Sequence, residues 1–308
     1  MTNSRSERNL GYVSYIEQEQ IENSSVAIAG VGGDGGMLAV QLARLGVGEF
    51  ILADPESFEI ENTNRQAVCT SSNIGTNKAE AVANYLQDIN PSINVKIFKD
   101  GVTKANVAEF VSGSSLLIDE TEFTMHELGV MLAREARKNN IPNLTALNIG
   151  FGAIVTTYKP DGATVENRLG FDDDQDIDEI VKQKVSIDRW LPYLPKYGDL
   201  SVLKKVSTGE KPAPSIAPGV AIAAGAAATQ AFLNIVGRDN HRPAPVYAPR
   251  ALVIDAMSME MKVIKYNRLS HYRHLATLLG REALKLNPSC QLLVRYFFRA
   301  FCHNSSNA

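Results

Sequence analysis

The chain of 308 residues is poor in cysteine. It has three cysteines, Cys69, Cys290 and Cys302, and no two of them form a CxxC pair. So small and odd a number cannot build a disulfide framework and is typical of a reducing compartment. Because structural zinc sites usually rely on closely spaced cysteine ligands, no zinc is expected.

The sequence also lacks an excess of charge of one sign. Lysine and arginine together number 31 and aspartate and glutamate 34, which gives a net charge of -3. Proteins that bind nucleic acid usually carry a strongly positive surface. A nucleic-acid partner is therefore not expected.

Long hydrophobic runs are scarce as well. The first 20 residues are polar and contain no signal-peptide core. The most apolar stretch, 216–236, is rich in alanine and glycine and includes Pro218, Gln230 and Asn234. Such small side chains favour a closely packed internal helix over a membrane span. We therefore predict a cytoplasmic protein without a membrane partner.

The chain has the composition of a soluble globular protein, with 44% hydrophobic and 21% charged residues. Short apolar runs alternate with helical patterns up to Gly150, which is typical of a parallel α/β sheet. The later segments 153–158 and 251–266 are strand-rich, and the second has the pattern of a hairpin. Five strands are predicted before Gly150, at 26–29, 49–53, 94–98, 115–118 and 143–147.

These patterns divide the chain into four parts. We predict an N-terminal arm and helix (1–25), a nucleotide-binding half (26–150), a substrate-side half (151–267) and a basic helical tail (268–308). The second half contains an irregular crossover, 169–215, which is either a solvated connection or a loop that grips substrate. The tail is interpreted as a packed helix pair, with a basic amphipathic contact as the alternative.

A run of glycines lies between the first strand and the first helix of the sheet. It reads Gly30-Val31-Gly32-Gly33-Asp34-Gly35-Gly36, and Asp54 ends the next strand. Glycine-rich turns at a helix N-terminus let backbone N–H groups approach phosphate. An acid at the end of the second strand typically accepts hydrogen bonds from ribose hydroxyls. This pattern predicts a Rossmann-like nucleotide site, for which a nicotinamide dehydrogenase would be the usual interpretation.

The next polar residues favour a triphosphate instead. The chain continues with Asn62-Thr63-Asn64-Arg65-Gln66 and then Gly75-Thr76-Asn77-Lys78-Ala79. Arginine and lysine can clamp phosphates and neutralise charge that develops on leaving pyrophosphate. A dehydrogenase has no need of this cluster, and the sequence offers no convincing hydride-acceptor site.

The order of these motifs resembles the ThiF/MoeB/HesA family, bacterial relatives of ubiquitin-activating enzymes, over about residues 8–266. The resemblance implies adenylation of a carboxylate with ATP and Mg²⁺ and release of pyrophosphate. Arg65, Lys78 and Arg8 would be catalytic, and Arg8 would reach the ATP of the other subunit of a homodimer. The residues that would bind the nucleotide are Gly30, Gly32, Gly33, Gly35, Asp54, Asn62, Gln66 and Asp119.

The sequence departs from the family pattern in three places. The family's Asp-Cys-Thr-Asp-Asn is replaced by a stretch from Asp119 to Phe123, so that Glu122 would take the place of the magnesium-binding aspartate. The CxxC zinc motifs of many members are absent. No cysteine lies between Cys69 and Cys290, so the crossover has no thiol for a thioester, and Cys69 is interpreted as a small buried residue.

The substrate remains open between several classes. We predict a precursor peptide, because the blocks Arg8–Gly11 and 214–219 resemble members that modify ribosomally made peptides in antibiotic biosynthesis. The alternatives are the C-terminus of a small ubiquitin-like sulfur-carrier protein and a transfer RNA, as in dehydratase members. A nucleotide-binding scaffold without catalysis is disfavoured, because Arg65, Lys78 and Glu122 are all retained.

Overall fold

Strands formed by short runs of apolar and β-branched residues alternate with helices along the chain. The computed structural model describes residues 4–185, 187–195, 197–237 and 243–266. The strands are β1 (Ser25–Ala29), β2 (Glu49–Ala53), β3 (Asn94–Phe98), β4 (Leu116–Asp119), β5 (Asn143–Asn148), β6 (Gly152–Tyr158), β7 (Arg250–Asp255) and β8 (Glu260–Lys265). The helices are α1 (Tyr15–Glu22), α2 (Gly33–Leu45), α3 (Lys78–Ile89), α4 (Val107–Val111), α5 (His126–Lys138), α6 (Val165–Leu169), α7 (Ile177–Ile180), α8 (Ile187–Trp190), α9 (Leu200–Ser207) and α10 (Ala217–Ile235).

All eight strands form one sheet in the order β3-β2-β1-β4-β5-β6-β7-β8. The first five are parallel to one another, whereas β6, β7 and β8 add to the sheet in antiparallel fashion. This confirms the predicted mostly parallel α/β sheet with an antiparallel extension. The sheet is continuous across residue 150, and the division into parts at 25, 150 and 267 remains a prediction.

Both faces of the parallel part are apolar, as expected for strands covered by helices on both sides. In β1, Ile28 packs in the core that includes residues of α2, α3 and α10, whereas Ala27 packs with α4 and α5 on the opposite face. β2 alternates in the same way between Leu52 and Ile51. Because the helical connections from β1 to β5 join parallel strands, the carboxyl ends of these strands and the loops that follow lie at one edge of the sheet.

Helix α10 is long and apolar enough to pass a length-and-composition test for a membrane span, with 56% of its most apolar window buried. It packs against α2, β5 and β6, and a core helix of a soluble protein passes the same test. The predicted internal helix is therefore found in the core. Pro218 lies in its first turn, where a missing N–H costs nothing.

The crossover 169–215 carries three short helices, α7, α8 and α9. Between them the described chain runs through turns and bends, as the irregular composition predicts. The predicted helical tail, 268–308, lies outside the described residues.

Candidate active site

A cavity of about 890 Å³ opens where β1, β2 and β4 end. The loops after these strands form its walls, together with residues 211–215. Ligands of open α/β sheets bind at such strand ends. We call this space the strand-end cavity. The predicted site residues that line it are Gly30, Gly32, Gly33, Gly35, Asp54, Asn62, Arg65, Gln66, Lys78 and Glu122.

The glycine run is shaped by close backbone packing. Gly30 has a φ of +83°, and a Cβ atom there would lie 2.3 Å from the carbonyl oxygen of Glu120. A Cβ on Gly35 would lie 1.9 Å from the carbonyl oxygen of Gly30. Helix α2 begins at Gly33, inside the glycine run predicted to precede it, so its N-terminus reaches the cavity. The free N–H groups of a helix N-terminus there favour an anion.

The carboxylate of Asp54 joins two loops of the site. It accepts hydrogen bonds from the backbone N–H groups of Val31 and Glu56, both at 2.9 Å. Burial raises its pKa, which these hydrogen bonds partly offset. Asp54 thus holds the glycine run against the loop after β2 while its side chain borders the cavity.

Lys78 is the first residue of α3, after the N-cap Asn77. Its side chain is only 5% exposed and forms an ion pair with Glu56, whose side chain is 63% exposed. The ammonium group is therefore held at the cavity wall by a partner that can move into solvent. This arrangement is expected of a cation that can exchange its carboxylate partner for an anionic ligand.

Arg65, Asn62 and Gln66 come from the short 3-10 helix at Ile60–Asn64 and the residues after it. The Arg65 guanidinium donates to the side-chain oxygen of Asn64 at 2.8 Å and to a backbone carbonyl at 3.3 Å. Asn62 accepts from the N–H of Glu59 at 3.0 Å and so stabilises the start of that helix. The buried Oε1 of Gln66 has no hydrogen-bond partner in the described chain.

Two predicted residues do not border the strand-end cavity. Asp119 accepts hydrogen bonds from the N–H and hydroxyl of Thr121, and its other oxygen lies near Gly129 of α5. The side chain of Asp119 thus faces α5, and its contact with the nucleotide stays a prediction. Arg8 is exposed on the 3-10 helix Glu7–Asn9 and does not line the cavity of its own chain.

The carboxylate predicted to bind magnesium, that of Glu122, lies at the strand-end cavity. No group of three or more His, Cys, Asp or Glu side chains is placed to hold a metal within the described part of the chain. Glu122 is exposed and lines the cavity. Mg²⁺ is commonly bound by one or two carboxylates together with substrate phosphates. The residues therefore fit an ion that arrives with a nucleotide.

Sequence reasoning missed two acids of the cavity wall, Asp34 and Glu120. Oδ2 of Asp34 accepts from the backbone and side chain of Asn148 at 2.9 and 2.8 Å. Glu120 accepts from the N–H of Ala146 at 2.8 Å. Burial raises the pKa of Asp34 to about 6 and that of Glu120 well above its usual range, where the charge of Asp34 adds to the effect. The signal that could have identified Asp34 as a site residue is its position as an acid inside the glycine run.

We expect Asp34→Asn to stabilise the fold at neutral pH. An acid with a folded pKa of about 6 and an ordinary value of 3.8 binds its proton more tightly when folded, so stability falls as pH rises through this window. Asparagine keeps one oxygen for Asn148 and removes the buried charge. Urea unfolding should show a gain of about 1–3 kcal/mol at pH 7 that disappears below about pH 4.

Asp88→Asn is the matched control, because Asp88 is an exposed aspartate on α3. Its unfolding curve should follow wild type at both pH values. An Asp34→Asn gain that is the same at pH 4 and pH 7 would contradict a buried, titrating carboxyl group.

The fold and the site define a class: a Rossmann-like α/β protein whose strand-end cavity combines a glycine run with the cations Arg65 and Lys78. The sequence pattern of the ThiF family matches residues 5–274. The chain therefore belongs to the ThiF family, which confirms the resemblance drawn from its motifs.

Individual relatives cover parts of the chain. The SAMP-activating enzyme E1 of Haloferax volcanii is 32% identical over 145 residues, 47% of this chain and 53% of that protein. The tRNA threonylcarbamoyladenosine dehydratase of Escherichia coli is 35% identical over 129 residues, 42% of this chain and 47% of that protein. The chain spans about half the length of these curated relatives.

A solved structure shares the fold over most of both chains. Escherichia coli MccB, solved with AMPCPP and MccA, has a TM-score of 0.64 at 22% identity and covers 87% of this chain and 72% of its own. At this level of identity the likeness concerns the fold alone.

Proposed function

We propose that the protein adenylates a carboxylate with ATP and releases pyrophosphate. The observation that carries the proposal is one cavity that combines the N-terminus of α2, the buried Lys78, Arg65 and the carboxylate of Glu122. A phosphate-binding loop alone would suit many nucleotides. The added cations suit a reaction that develops charge on a departing pyrophosphate. Membership of the ThiF family, which includes activating enzymes, supports this choice.

In this mechanism Asp54 orients the nucleotide through its ribose, and the N–H groups beside Gly32 and Gly33 face the phosphates. A carboxylate oxygen of the substrate attacks the α-phosphorus of ATP. The bond from that phosphorus to its bridging oxygen breaks, and pyrophosphate leaves with the electron pair. Lys78, released from Glu56, and Arg65 neutralise the charge that accumulates on the phosphates.

Mg²⁺ would be held by Glu122 and the phosphates, and when bound it supplies further neutralisation of phosphate charge. Glu122 is suited to this by its exposure at the cavity wall. Asp34 and Glu120, with raised pKa values, are poorer cation ligands because burial favours their protonated forms.

No residue of the enzyme takes the acyl group in this proposal. Cys69 is buried, its thiol lies 3.6 Å from the carbonyl oxygen of Glu59, and burial raises its pKa. A thiol with a raised pKa is a poor nucleophile. The adenylate would therefore react with a nucleophile of the substrate or of a second molecule.

We further propose that the site is shared across a homodimer, with Arg8 contributed by the partner subunit. Arg8 is exposed, and close to it in sequence Tyr12, Tyr15 and Ile16 are 96%, 68% and 72% exposed. Exposed large apolar side chains of this kind often mark an interface. Mixing of two defective variants, described in the Discussion, tests the arrangement.

A peptide is the proposed substrate class, with a small carrier protein second and transfer RNA third. The test offers each class separately with ATP: peptides encoded beside the gene, a ubiquitin-like sulfur carrier, and bulk transfer RNA. Exchange of labelled pyrophosphate into ATP should depend on the peptide. Exchange driven by the carrier or by RNA alone would replace the peptide with that acceptor.

A further inference from the structure

A second cavity, of about 330 Å³, opens beside the strand-end cavity, and we call it the apolar pocket. The two spaces share wall residues from the loop after β4, from the end of β5 and from the segment before α10, among them Phe123, Leu147 and Pro214. Most of the remaining wall comes from the crossover, including Trp190, Leu194 and Val202. A group in the apolar pocket would therefore be next to whatever reacts in the strand-end cavity.

The pocket wall offers few polar atoms to a ligand. Among its described lining residues only Asp199 has a charged side chain. The Tyr197 hydroxyl accepts from the N–H of Phe151 at 2.8 Å and is 3.3 Å from Asp255. The side chain of Asn148 is engaged by Asp34. The Tyr197 hydroxyl and the Asn148 amide are thus satisfied within the fold, and apart from Asp199 the remaining side chains of the wall are apolar or glycine.

The pocket is also built on fixed supports. Tyr197 and Tyr193 both hydrogen-bond to Asp255 at the end of β7, which anchors the crossover to the sheet. Gly150 lies under Tyr197, and a Cβ there would be 2.7 Å from its hydroxyl oxygen. Protein interiors rarely leave apolar space of this size unfilled, whereas ligand pockets of a few hundred cubic ångströms are mostly apolar.

We infer that the apolar pocket binds a large uncharged apolar side chain next to the carboxylate that is adenylated, which selects peptides ending in residues such as leucine or phenylalanine. The inference rests on the proposed function for the identity of the neighbouring reaction. Asp199 would repel a second carboxylate, and the apolar wall would leave a lysine side chain poorly solvated. Discrimination against alanine should be about 10- to 100-fold, the range that a hydrophobic pocket provides.

The first measurement is binding of the neutral dye N-phenylnaphthylamine to the full-length protein, which is independent of catalysis. Fluorescence should rise with wild type and with Ser201→Arg, but not with Val202→Arg. Val202 lines the pocket, whereas Ser201 is its exposed neighbour. Both variants add an arginine, so a difference between them reports filling of the pocket and not the added charge. Leu194→Gln, a milder change of the same wall, should weaken the dye at least tenfold.

The second measurement displaces the dye with hexapeptides that differ only in the last residue. Peptides ending in leucine or phenylalanine should displace it about 10- to 100-fold better than those ending in alanine, aspartate or lysine. Equal displacement by all peptides, or equal dye binding by Val202→Arg and wild type, would overturn the inference. If displacement were selective but the protein catalysed no ATP–pyrophosphate exchange, the inference about the apolar pocket would stand. Only the proposed adenylation would then be contradicted.

Discussion

Lys78→Ala should lose about 10²- to 10³-fold in the rate of pyrophosphate release while keeping the wild-type fold. This is the loss seen when one group that stabilises transition-state charge is removed. The fold should survive because the only ion-pair partner described for Lys78, Glu56, is 63% exposed and remains solvated without it. The measurement is steady-state pyrophosphate release, with circular dichroism and urea unfolding as checks of the fold.

Lys99→Ala is the matched control. Lys99 also forms an ion pair with a glutamate, Glu80, but its side chain is 57% exposed and does not line the strand-end cavity. Its pyrophosphate release should equal that of wild type. If Lys78→Ala were as active as this control, Lys78 would have no part in the reaction.

The same variant tests the shared site. In a mixture of Lys78→Ala and Arg8→Ala proteins, random exchange of subunits makes half of the dimers mixed, and each mixed dimer has one intact site. Activity should therefore recover to about a quarter of wild type. No recovery, with subunit exchange verified, would mean that Arg8 does not act across the dimer.

Gly35→Ala should destabilise the protein by about 2–4 kcal/mol and abolish nucleotide binding. The new Cβ would lie 1.9 Å from the carbonyl oxygen of Gly30, so either the glycine run or the start of α2 must move. Both carry the N–H groups proposed to face the phosphates. Urea unfolding and calorimetry with ATP measure the two effects.

Gly225→Ala provides the opposite expectation from the same substitution. Gly225 lies inside α10 and is exposed, with no atom within 4 Å of an added Cβ. Alanine there should stabilise by about 0.5–1 kcal/mol, because glycine loses more backbone entropy in a helix. Equal effects of the two substitutions would contradict the packing described for the glycine run.

The sheet and most of the cavity follow from local patterns, because apolar runs and glycine turns are encoded in neighbouring residues. The start of α2 does not follow from local patterns. Because glycine is a poor helix former, the sequence predicts that the helix starts after Gly36. Packing of Gly35 onto the backbone of Gly30 and contacts between α2 and α10 outweigh that preference.

The orientation of Asp119 could have been predicted from the strand itself. Strand side chains alternate between faces, and Leu117 packs towards α5 while Ile118 packs towards α2. Asp119 must then share the face of Leu117, which leaves Glu120 on the side of the cavity. Strand alternation therefore predicts the two positions, whereas the family pattern alone does not.

Contacts between distant segments could not be predicted in this way. The hydrogen bonds from Asn148 to Asp34 span 114 residues, and the apolar pocket joins the crossover to loops of the first half. No periodic signal connects such segments, since their proximity depends on the order of strands in the sheet.

The most direct test of adenylation uses ATP labelled at the α-phosphate or at the γ-phosphate, with a peptide ending in leucine as acceptor. After acid quench, label should be found on the peptide only with α-labelled ATP, and γ label should be recovered in pyrophosphate. Label on the peptide from γ-labelled ATP, without release of pyrophosphate, would mean that the γ-phosphoryl group is transferred. That result would contradict adenylation.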